Sequence, residues 1–283
     1  MASLTAIPGQ PGQRSGAAVV AGAIARALSR AGAALLRLYP LAILAALWEA
    51  ATRSGLIGSF FLPTFSSVVM RMFTGVFVTG ALLGHWAVSM ERAMTGLALA
   101  SVVGVVLGIL MGRFAPVRSF MDPILALFFP TPKLALFPLF ILWLGIGDSS
   151  KIALIFASCL FPVLLNTYTG VRSVDKFLVW NALDKGLSTF GIMWRVILPA
   201  SLPFIFAGLR IAATLSILLV VAAEMIASND GLGYLAMFAQ RTFRNEDMLA
   251  AIMLIALTGF AIDRILLAVQ ERLFGWQDKA DFQ

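Results

Sequence analysis

The sequence predicts an all-α integral membrane protein with about six transmembrane helices. Of its 283 residues, 60% are hydrophobic and only 12% are charged, whereas soluble domains carry about 25% charged residues. Several apolar runs reach the roughly 20 residues that a helix needs to cross the hydrocarbon core, and the alternating pattern of membrane β-strands is missing. This composition excludes an ordinary cytoplasmic enzyme, a disordered chain and a nucleic-acid-binding protein.

Six apolar runs are the candidate spans, and they occupy residues 34–52, 88–112, 124–144, 152–171, 202–226 and 248–267. Pro130, Pro132 and Pro138 interrupt the third run, so we expect it to be kinked or to lie partly at the membrane edge.

The predicted membrane domain covers 31–276, between two tails. The tail at 1–30 begins with a stretch rich in Pro, Gly and Gln and is expected to be disordered. It has no apolar core followed by a small-residue cleavage site, so we predict no secretory signal peptide. Residues 277–283 form a short C-terminal tail.

The formal net charge of +7 is explained by where Lys and Arg stand. If the N-terminus is cytoplasmic, fourteen of the assigned Lys and Arg lie on the cytoplasmic side and five lie outside. Cytoplasmic loops of membrane proteins carry such an excess of positive charge. We therefore expect both termini in the cytoplasm, and the basic composition needs no nucleic-acid partner.

The segment 172–202 is cytoplasmic in this topology, yet it is patterned like folded structure. Ser173 is predicted to cap a first helix, and Gly186 to end it, because glycine allows the backbone of a C-terminal turn. Ser188 is predicted to cap a second short helix, which Pro199 is expected to stop. Such a loop suits either an amphipathic element on the lipid surface or a knob that docks in a partner's groove.

The string NALDKGLSTFGIMWRVILPASLP resembles the EAA loop of the membrane subunits of bacterial ATP-binding-cassette (ABC) importers. The family's glycine and its Leu-Pro pair are matched at their spacing by Gly186, Leu198 and Pro199. Trp180 and Asn181 stand where the family has Glu and Ala, so the acidic residue is missing. The resemblance implies an ATPase-coupling loop made of Asp184, Lys185, Gly186, Leu187, Ser188, Thr189 and Phe190, with Leu198 and Pro199 behind them.

Five further strings carry the resemblance over most of the chain, to permeases of the nitrate, taurine and alkanesulfonate subfamily. They are LPTFSSVV, MDPILALFFPTPKLALFPLFILWLGIGDSSK, FPVLLNTYTGVRSVD, AEMIASNDGLGY and DRILLAVQERLFGW. The resemblance implies a type I ABC importer permease in the bacterial inner membrane, working as a homodimer. An ABC ATPase dimer would bind ATP and Mg, and a periplasmic solute-binding protein would deliver the solute. That solute would be a sulfonate, taurine, nitrate or a related organic acid, or else a vitamin or pyrimidine precursor.

Two other classes of protein remain as alternatives. A secondary transporter needs intramembrane ionisable residues and usually an inverted repeat, and neither is prominent. An integral membrane enzyme needs a cluster of His, Asp or Glu, whereas the chain has one histidine and scattered acids. The chain also lacks the Gly-x-x-x-x-Gly-Lys-Ser/Thr loop that holds nucleotide phosphates. We expect no catalytic residue, no metal and no cofactor on this chain.

Single residues within the spans add further expectations. Gly104, Gly108 and Gly112 recur every four residues, which favours close helix packing. Glu224 is an acid in an apolar run, and we expect it to make a structural or gating hydrogen bond. Candidate residues of a translocation pathway are Phe129, Trp143, Asn166, Glu224 and Met225.

Four polar residues near the ends of the runs have simpler expected roles. His85 and Ser89 stand four apart and can share a helix face, where they would cap and orient the second span. No acid lies at a helical spacing that would hold the imidazole for nucleophilic work. Asp148 and Lys151 are expected to be solvated in a short outer turn.

Overall fold

The computed structural model describes residues 39–274, and every regular element among them is helical. The predicted tails at 1–30 and 277–283 lie outside the described residues. The helices are α1 (39–53), α2 (Phe65–Phe73), α3 (Ala81–Arg113), α4 (Ala115–Phe128), α5 (Phe137–Leu144), α6 (Asp148–Ser173), α7 (Lys176–Asp184), α8 (Thr189–Ile192), α9 (Leu198–Ile226), α10 (Leu232–Arg241) and α11 (Asn245–Phe274).

The chain divides into two compact units, and the described part of the first covers residues 39–65. Helix α1 contains the described part of the first predicted span. The indole Nε1 of Trp48 donates a hydrogen bond to the carbonyl oxygen of Pro63 at 2.9 Å. The Trp48 ring also meets that of Phe65 edge to face, with centroids 5.5 Å apart. Both contacts hold the turn after α1 against the helix.

The second unit, 66–283, holds the long helices. Four of them are long and apolar enough to cross a membrane, namely Ala81–Arg113, Asp148–Ser173, Thr189–Ile226 and Asn245–Phe274. A fifth span is present if Ala115–Phe128 and Lys133–Leu144, which meet at 87°, count as one. The described residues thus contain four or five of the six predicted spans. The predicted break in the third run is confirmed as this bend.

Glycines set the distance between α3 and α6. A Cβ added to Gly108 would lie 2.6 Å from the Cβ of Thr167 and 2.7 Å from the carbonyl oxygen of Leu164. Added Cβ atoms on Gly104 and Gly112 would lie 2.9 Å and 2.5 Å from the nearest side-chain atom of α6. Because Cβ atoms cannot approach so closely, the two backbones can pack at this distance only if these positions are glycine.

Candidate functional site

The predicted coupling loop begins where α6 ends. Asp175 caps α7, because its Oδ1 accepts a hydrogen bond from the backbone N–H of Phe177 at 2.9 Å. The expectation that Ser173 caps this helix is wrong. Ser173 still belongs to the last turn of α6, and its hydroxyl donates to the carbonyl oxygen of Gly170 at 2.9 Å.

The elbow between α7 and α8 is a Schellman turn centred on Gly186. The backbone N–H of Gly186 donates to Leu183 O at 2.8 Å, and that of Leu187 donates to Ala182 O at 3.1 Å. These bonds satisfy carbonyl groups that the end of a helix leaves free. Gly186 has φ of +76°, and nothing lies within 4 Å of an added Cβ. Glycine is therefore favoured here by backbone conformation and not by crowding.

The second helix of the loop starts as predicted but does not stop as predicted. The Ser188 hydroxyl accepts a hydrogen bond from the backbone N–H of Gly191 at 3.2 Å, which confirms the cap. A π-helical turn, Met193–Ile197, then runs directly into α9, and Pro199 lies in the first turn of α9. A proline in a first turn removes no N–H that the helix needs. Pro199 thus begins α9 instead of ending a helix.

The outer surface of the loop is aromatic. Residues Phe177 and Phe190 are 70% and 73% exposed, and Trp180 and Trp194 are also exposed. Their rings form two pairs, Phe177 with Trp180 at 5.4 Å and Phe190 with Trp194 at 6.0 Å between centroids. Beneath them a small apolar core holds the two helices together, made of the buried residues Val171, Ala182, Ile192 and Ile197. The loop is thus a folded element with an apolar outer face.

A shallow groove of about 590 Å³ adjoins this face. Its lining includes Leu178 and Asn181 of α7, Lys185 at the elbow, Arg195 of the π-helical turn and Pro199 of α9. The two cations lie beside exposed apolar side chains. This combination is suited to a protein surface that offers both acidic and apolar groups.

Apart from the predicted coupling loop, a cluster of charged residues is centred on the buried side chain of Arg92 in α3. Its guanidinium bonds to Asp148 Oδ1 at 2.7 Å through Nε and to Glu224 Oε1 at 2.9 Å through Nη1. Nη2 also bonds to the carboxylate of Asp230. The three carboxylates come from the start of α6, the end of α9 and the loop after α9. One arginine therefore joins three segments of the chain to α3.

Glu224 is 1% exposed, and its carboxylate is hydrogen-bonded on several sides. It accepts from the Ser89 hydroxyl at 2.8 Å and from the backbone N–H of Gly233 at 3.0 Å, in addition to Arg92. The Ser89 oxygen also accepts from the backbone N–H of Leu232 at 2.9 Å. These partners satisfy a charged group that would otherwise be costly to bury.

Gly231 leaves the space that the Glu224 carboxylate occupies, and Gly233 allows the backbone to approach α9 closely. A Cβ on Gly231 would lie 2.2 Å from the carboxyl carbon of Glu224. A Cβ on Gly233 would lie 2.4 Å from the carbonyl oxygen of Val221. Gly231 also has φ of +96°. The string AEMIASNDGLGY thus contains both the acid and the glycines that allow its burial.

The polar residues near the ends of the spans take less simple positions than expected. His85 Nδ1 accepts from the backbone N–H of Gly231 at 3.1 Å, so it orients the loop after α9 as well as α3. Lys151 is 2% exposed, and its Nζ donates to the carbonyl oxygens of Ile146 and Gly147 at 3.0 and 3.2 Å. The expectation that Lys151 is solvated is wrong. Ile146 and Gly147 lie in the turn between α5 and α6, so the Lys151 side chain folds back onto the start of its own helix.

Asp148 and Asp230 lie at the exposed side of this cluster. The Asp148 side chain is 61% exposed, as expected for an outer turn, but it is also paired with Arg92. The hydrogen bond from Arg92 lowers the pKa of Asp230 below its ordinary value of 3.8. Sequence reasoning missed Arg92 and Asp230. The available signal was an arginine inside an apolar run, because such a charge needs a buried partner.

The proposed pathway residues occupy different surroundings. Phe129 directly follows α4 and is 52% exposed, and Trp143 in α5 is 66% exposed. Asn166 donates to the carbonyl oxygen of Pro162 and packs against Gly208 of α9. Met225 is 38% exposed, beside the buried Glu224. Their part in transport, like that of the coupling loop, stays a prediction. Within 39–274, no group of three or more His, Cys, Asp or Glu could hold a metal ion.

Comparison with known proteins identifies the class. The family model described as binding-protein-dependent transport system inner membrane component matches residues 104–275. A putative ABC transporter permease protein of Methanocaldococcus jannaschii is 40% identical, over 75% of this chain and 79% of that protein. The taurine transport system permease protein TauC of Escherichia coli is 37% identical, over 83% of this chain and 87% of that protein.

One further relative and one solved structure are also similar to this chain. A putative aliphatic sulfonates transport permease protein of Bacillus subtilis is 33% identical, over 84% of this chain and 86% of that protein. The crystal structure of an amino acid ABC transporter with histidines matches 71% of this chain and 98% of its own, with a TM-score of 0.60 and 14% identity. The chain belongs to the family of binding-protein-dependent transport system inner membrane components, and it is a permease component of an ABC importer. The resemblance and the all-α membrane fold are confirmed.

Proposed function

We propose that two copies of this chain form the translocation pathway of an ATP-driven importer for a small anion. The solute is a sulfonate, taurine, nitrate or a related organic acid, and a periplasmic solute-binding protein delivers it. The chain lies in the bacterial inner membrane with both termini in the cytoplasm, as the excess of cytoplasmic Lys and Arg favours.

A separate ABC ATPase dimer, with ATP and Mg, supplies the energy. The observation that carries this assignment is the folded loop at 172–202, whose exposed aromatic face has a groove with two cations beside it. A helix pair of this kind transmits force only if it is rigid, and the Schellman elbow and the capped helices support that rigidity. The surface fits insertion into a cleft of the ATPase, which moves when ATP closes the ATPase dimer.

The substrate class is supported by the names of relatives that align with most of the chain. Permease proteins for taurine and for aliphatic sulfonates are among them. An alternative solute is a pyrimidine precursor, because a formylaminopyrimidine transport permease protein of Halalkalibacterium halodurans is 29% identical over 84% of this chain.

The test is uptake by the complete importer in proteoliposomes. The permease is reconstituted with its ATPase, and the binding protein is added outside with labelled taurine, butanesulfonate, nitrate or formylaminopyrimidine. We expect uptake of an anion that requires ATP and persists when ionophores remove ion gradients. Gradient-driven uptake without ATP would instead identify a secondary transporter, and uptake of formylaminopyrimidine alone would identify the alternative solute.

A further inference from the structure

The bend between α4 and α5 places irregular backbone inside an apolar segment. The two arms, Ala115–Phe128 and Lys133–Leu144, meet at 87°. Pro130 and Pro132 lie in the break and cannot donate a backbone hydrogen bond. Irregular backbone at membrane depth is tolerated where it is covered by protein or lines a water-filled cavity. Broken helices of this kind form solute sites in other transporters.

Lys133 directly follows this break, as the first residue of the second arm. Its ammonium donates to the carbonyl oxygen of Phe129. Nζ lies 4.7 Å from the ring centroid of Phe161 in α6 and 5.5 Å from that of Phe129. The side chain is only partly buried. Lysine carries three N–H donors. The hydrogen bond to Phe129 uses one of them, so the ammonium can still donate a hydrogen bond to a further group.

Three other cations of the apolar helices are paired with carboxylates or with backbone carbonyl oxygens. Arg92 binds three carboxylates, and Arg210 pairs with Asp263 at 2.7 Å. Lys151 is buried and donates to two carbonyl oxygens. Among the salt bridges of the described residues, Lys133 has none. A cation within a span is costly and usually faces a pathway or a partner.

We propose that Lys133, with the rings of Phe129 and Phe161, forms a binding subsite for the anionic group of the transported solute. This inference rests on the proposed function, because it assumes that the solute is an anion. The ammonium supplies a charge-assisted hydrogen bond to a sulfonate, carboxylate or nitrate oxygen. Phe129 is 52% exposed and offers an apolar surface to the organic part of the solute. The Phe161 ring holds the ammonium in place through its π-face.

The experiment uses the complete importer in proteoliposomes and the solute that the wild-type protein takes up best from taurine, butanesulfonate, nitrate and benzoate, each of which carries an anionic group. Lys133→Met removes the charge at similar length, and Lys133→Arg keeps it. We expect Lys133→Met to reduce anion uptake about tenfold or more, the range of a lost charge-assisted hydrogen bond. We expect Lys133→Arg to recover most of that uptake. ATPase stimulation by the loaded binding protein should persist in both variants, because the coupling loop is unchanged.

Arg118→Gln is the matched control, since it removes a cation from the other arm of the bent pair, away from the break. It should leave uptake within about twofold, as expected for a surface charge. Equal uptake by Lys133→Met and wild type, or equal losses in Lys133→Met and Arg118→Gln, would overturn the subsite and leave the proposed function intact. A wild-type importer that takes up none of the four anions would overturn both.

An anionic lipid headgroup offers the same chemistry, and a second arm separates it from the solute. The variants are compared in vesicles of phosphatidylcholine alone and in vesicles that also contain phosphatidylglycerol. The subsite requires the Lys133→Met defect in both. If the defect appears only with phosphatidylglycerol, the ligand of Lys133 is a lipid and the proposal is wrong.

Discussion

Arg92 and Glu224 form an ion pair in the interior of the helical bundle. Nη1 of Arg92 lies 2.9 Å from Oε1 of Glu224, and the two side chains are 4% and 0% exposed. Removing one partner of such a pair leaves an uncompensated charge, which destabilises more than losing a surface pair does. The pair connects α3 to the end of α9, so both stability and transport are expected to depend on it.

Glu224→Gln should lower stability and impair transport. The amide keeps one oxygen, but its NH2 group must face an N–H donor of Arg92 or Gly233, while Asp148 and Asp230 still pair with Arg92. We expect a loss on the order of 2–3 kcal/mol in unfolding free energy. Thermal unfolding in detergent, followed by circular dichroism, measures the first effect, and uptake in proteoliposomes measures the second. Glu91→Gln, which changes an exposed acid of α3 next to Arg92 in the sequence, is the control. Unchanged unfolding and uptake in Glu224→Gln would show that the pair serves neither purpose.

Gly231→Ala should destabilise more than Gly145→Ala. Both glycines have nearly the same backbone, with φ and ψ of +96° and 165° at Gly231 and +81° and 176° at Gly145. An added Cβ meets the Glu224 carboxylate at Gly231 and nothing within 4 Å at Gly145. Strain is therefore common to both variants, and the clash should add about 1–3 kcal/mol for overpacking. Equal melting temperatures of Gly231→Ala and Gly145→Ala would mean that the Glu224 carboxylate moves aside at little cost in free energy.

Gly108→Ala should destabilise the protein, whereas Gly84→Ala should not. Both glycines lie in α3, where alanine is intrinsically favoured by up to about 1 kcal/mol. Gly84 has open space around an added Cβ, but at Gly108 that atom would lie 2.7 Å from the backbone oxygen of Leu164. We expect a loss of about 1–3 kcal/mol at Gly108 because the two helices must separate. The midpoints of thermal unfolding of both variants test this. A stabilised Gly108→Ala would show that the contact between α3 and α6 is loose.

Gly186→Val should separate ATP hydrolysis from transport in the reconstituted importer. Valine cannot readily adopt the positive φ of the elbow, so the angle between α7 and α8 should change. Gly186→Asn is the matched control, because asparagine is tolerated in this conformation. We expect the ratio of solute imported to ATP hydrolysed to fall about tenfold or more in Gly186→Val, because small misplacements of functional groups can cost factors of this size. The ratio should stay near the wild-type value in Gly186→Asn. Wild-type coupling in Gly186→Val would refute the role of the elbow.

Acid should remove the contribution that the pair between Asp230 and Arg92 makes to folding stability. The pKa of Asp230 is lowered in the folded protein, so its contribution to stability is fully present above the ordinary value of 3.8 and is lost as the pH falls through the lower folded value. Melting temperatures of wild type and Asp230→Asn should differ at pH 6 to 7 and converge below about pH 3.8. A difference that does not change with pH would mean that the carboxylate charge contributes nothing.

Local patterns were enough to place parts of both sites. The Ser188 cap and the Gly186 turn depend on residues a few positions apart, so the sequence predicts them directly. Pro199 was misread because a proline is compatible with both the end and the first turn of a helix. Asp175 is the cap instead of Ser173 because α6 continues two residues beyond its apolar run, as far as Ser173.

By itself the sequence determined that the protein is an all-α membrane protein, because apolar runs of membrane-spanning length and a charge content of 12% leave few other folds. It also predicted the elbow at Gly186 and the cap at Ser188, which form from neighbouring residues. Only the tertiary structure decided which charges meet. Arg92, Asp148, Glu224 and Asp230 are up to 138 positions apart. A buried charge is stabilised by whichever groups the packing brings within a few ångströms, and no local pattern along the chain encodes that proximity.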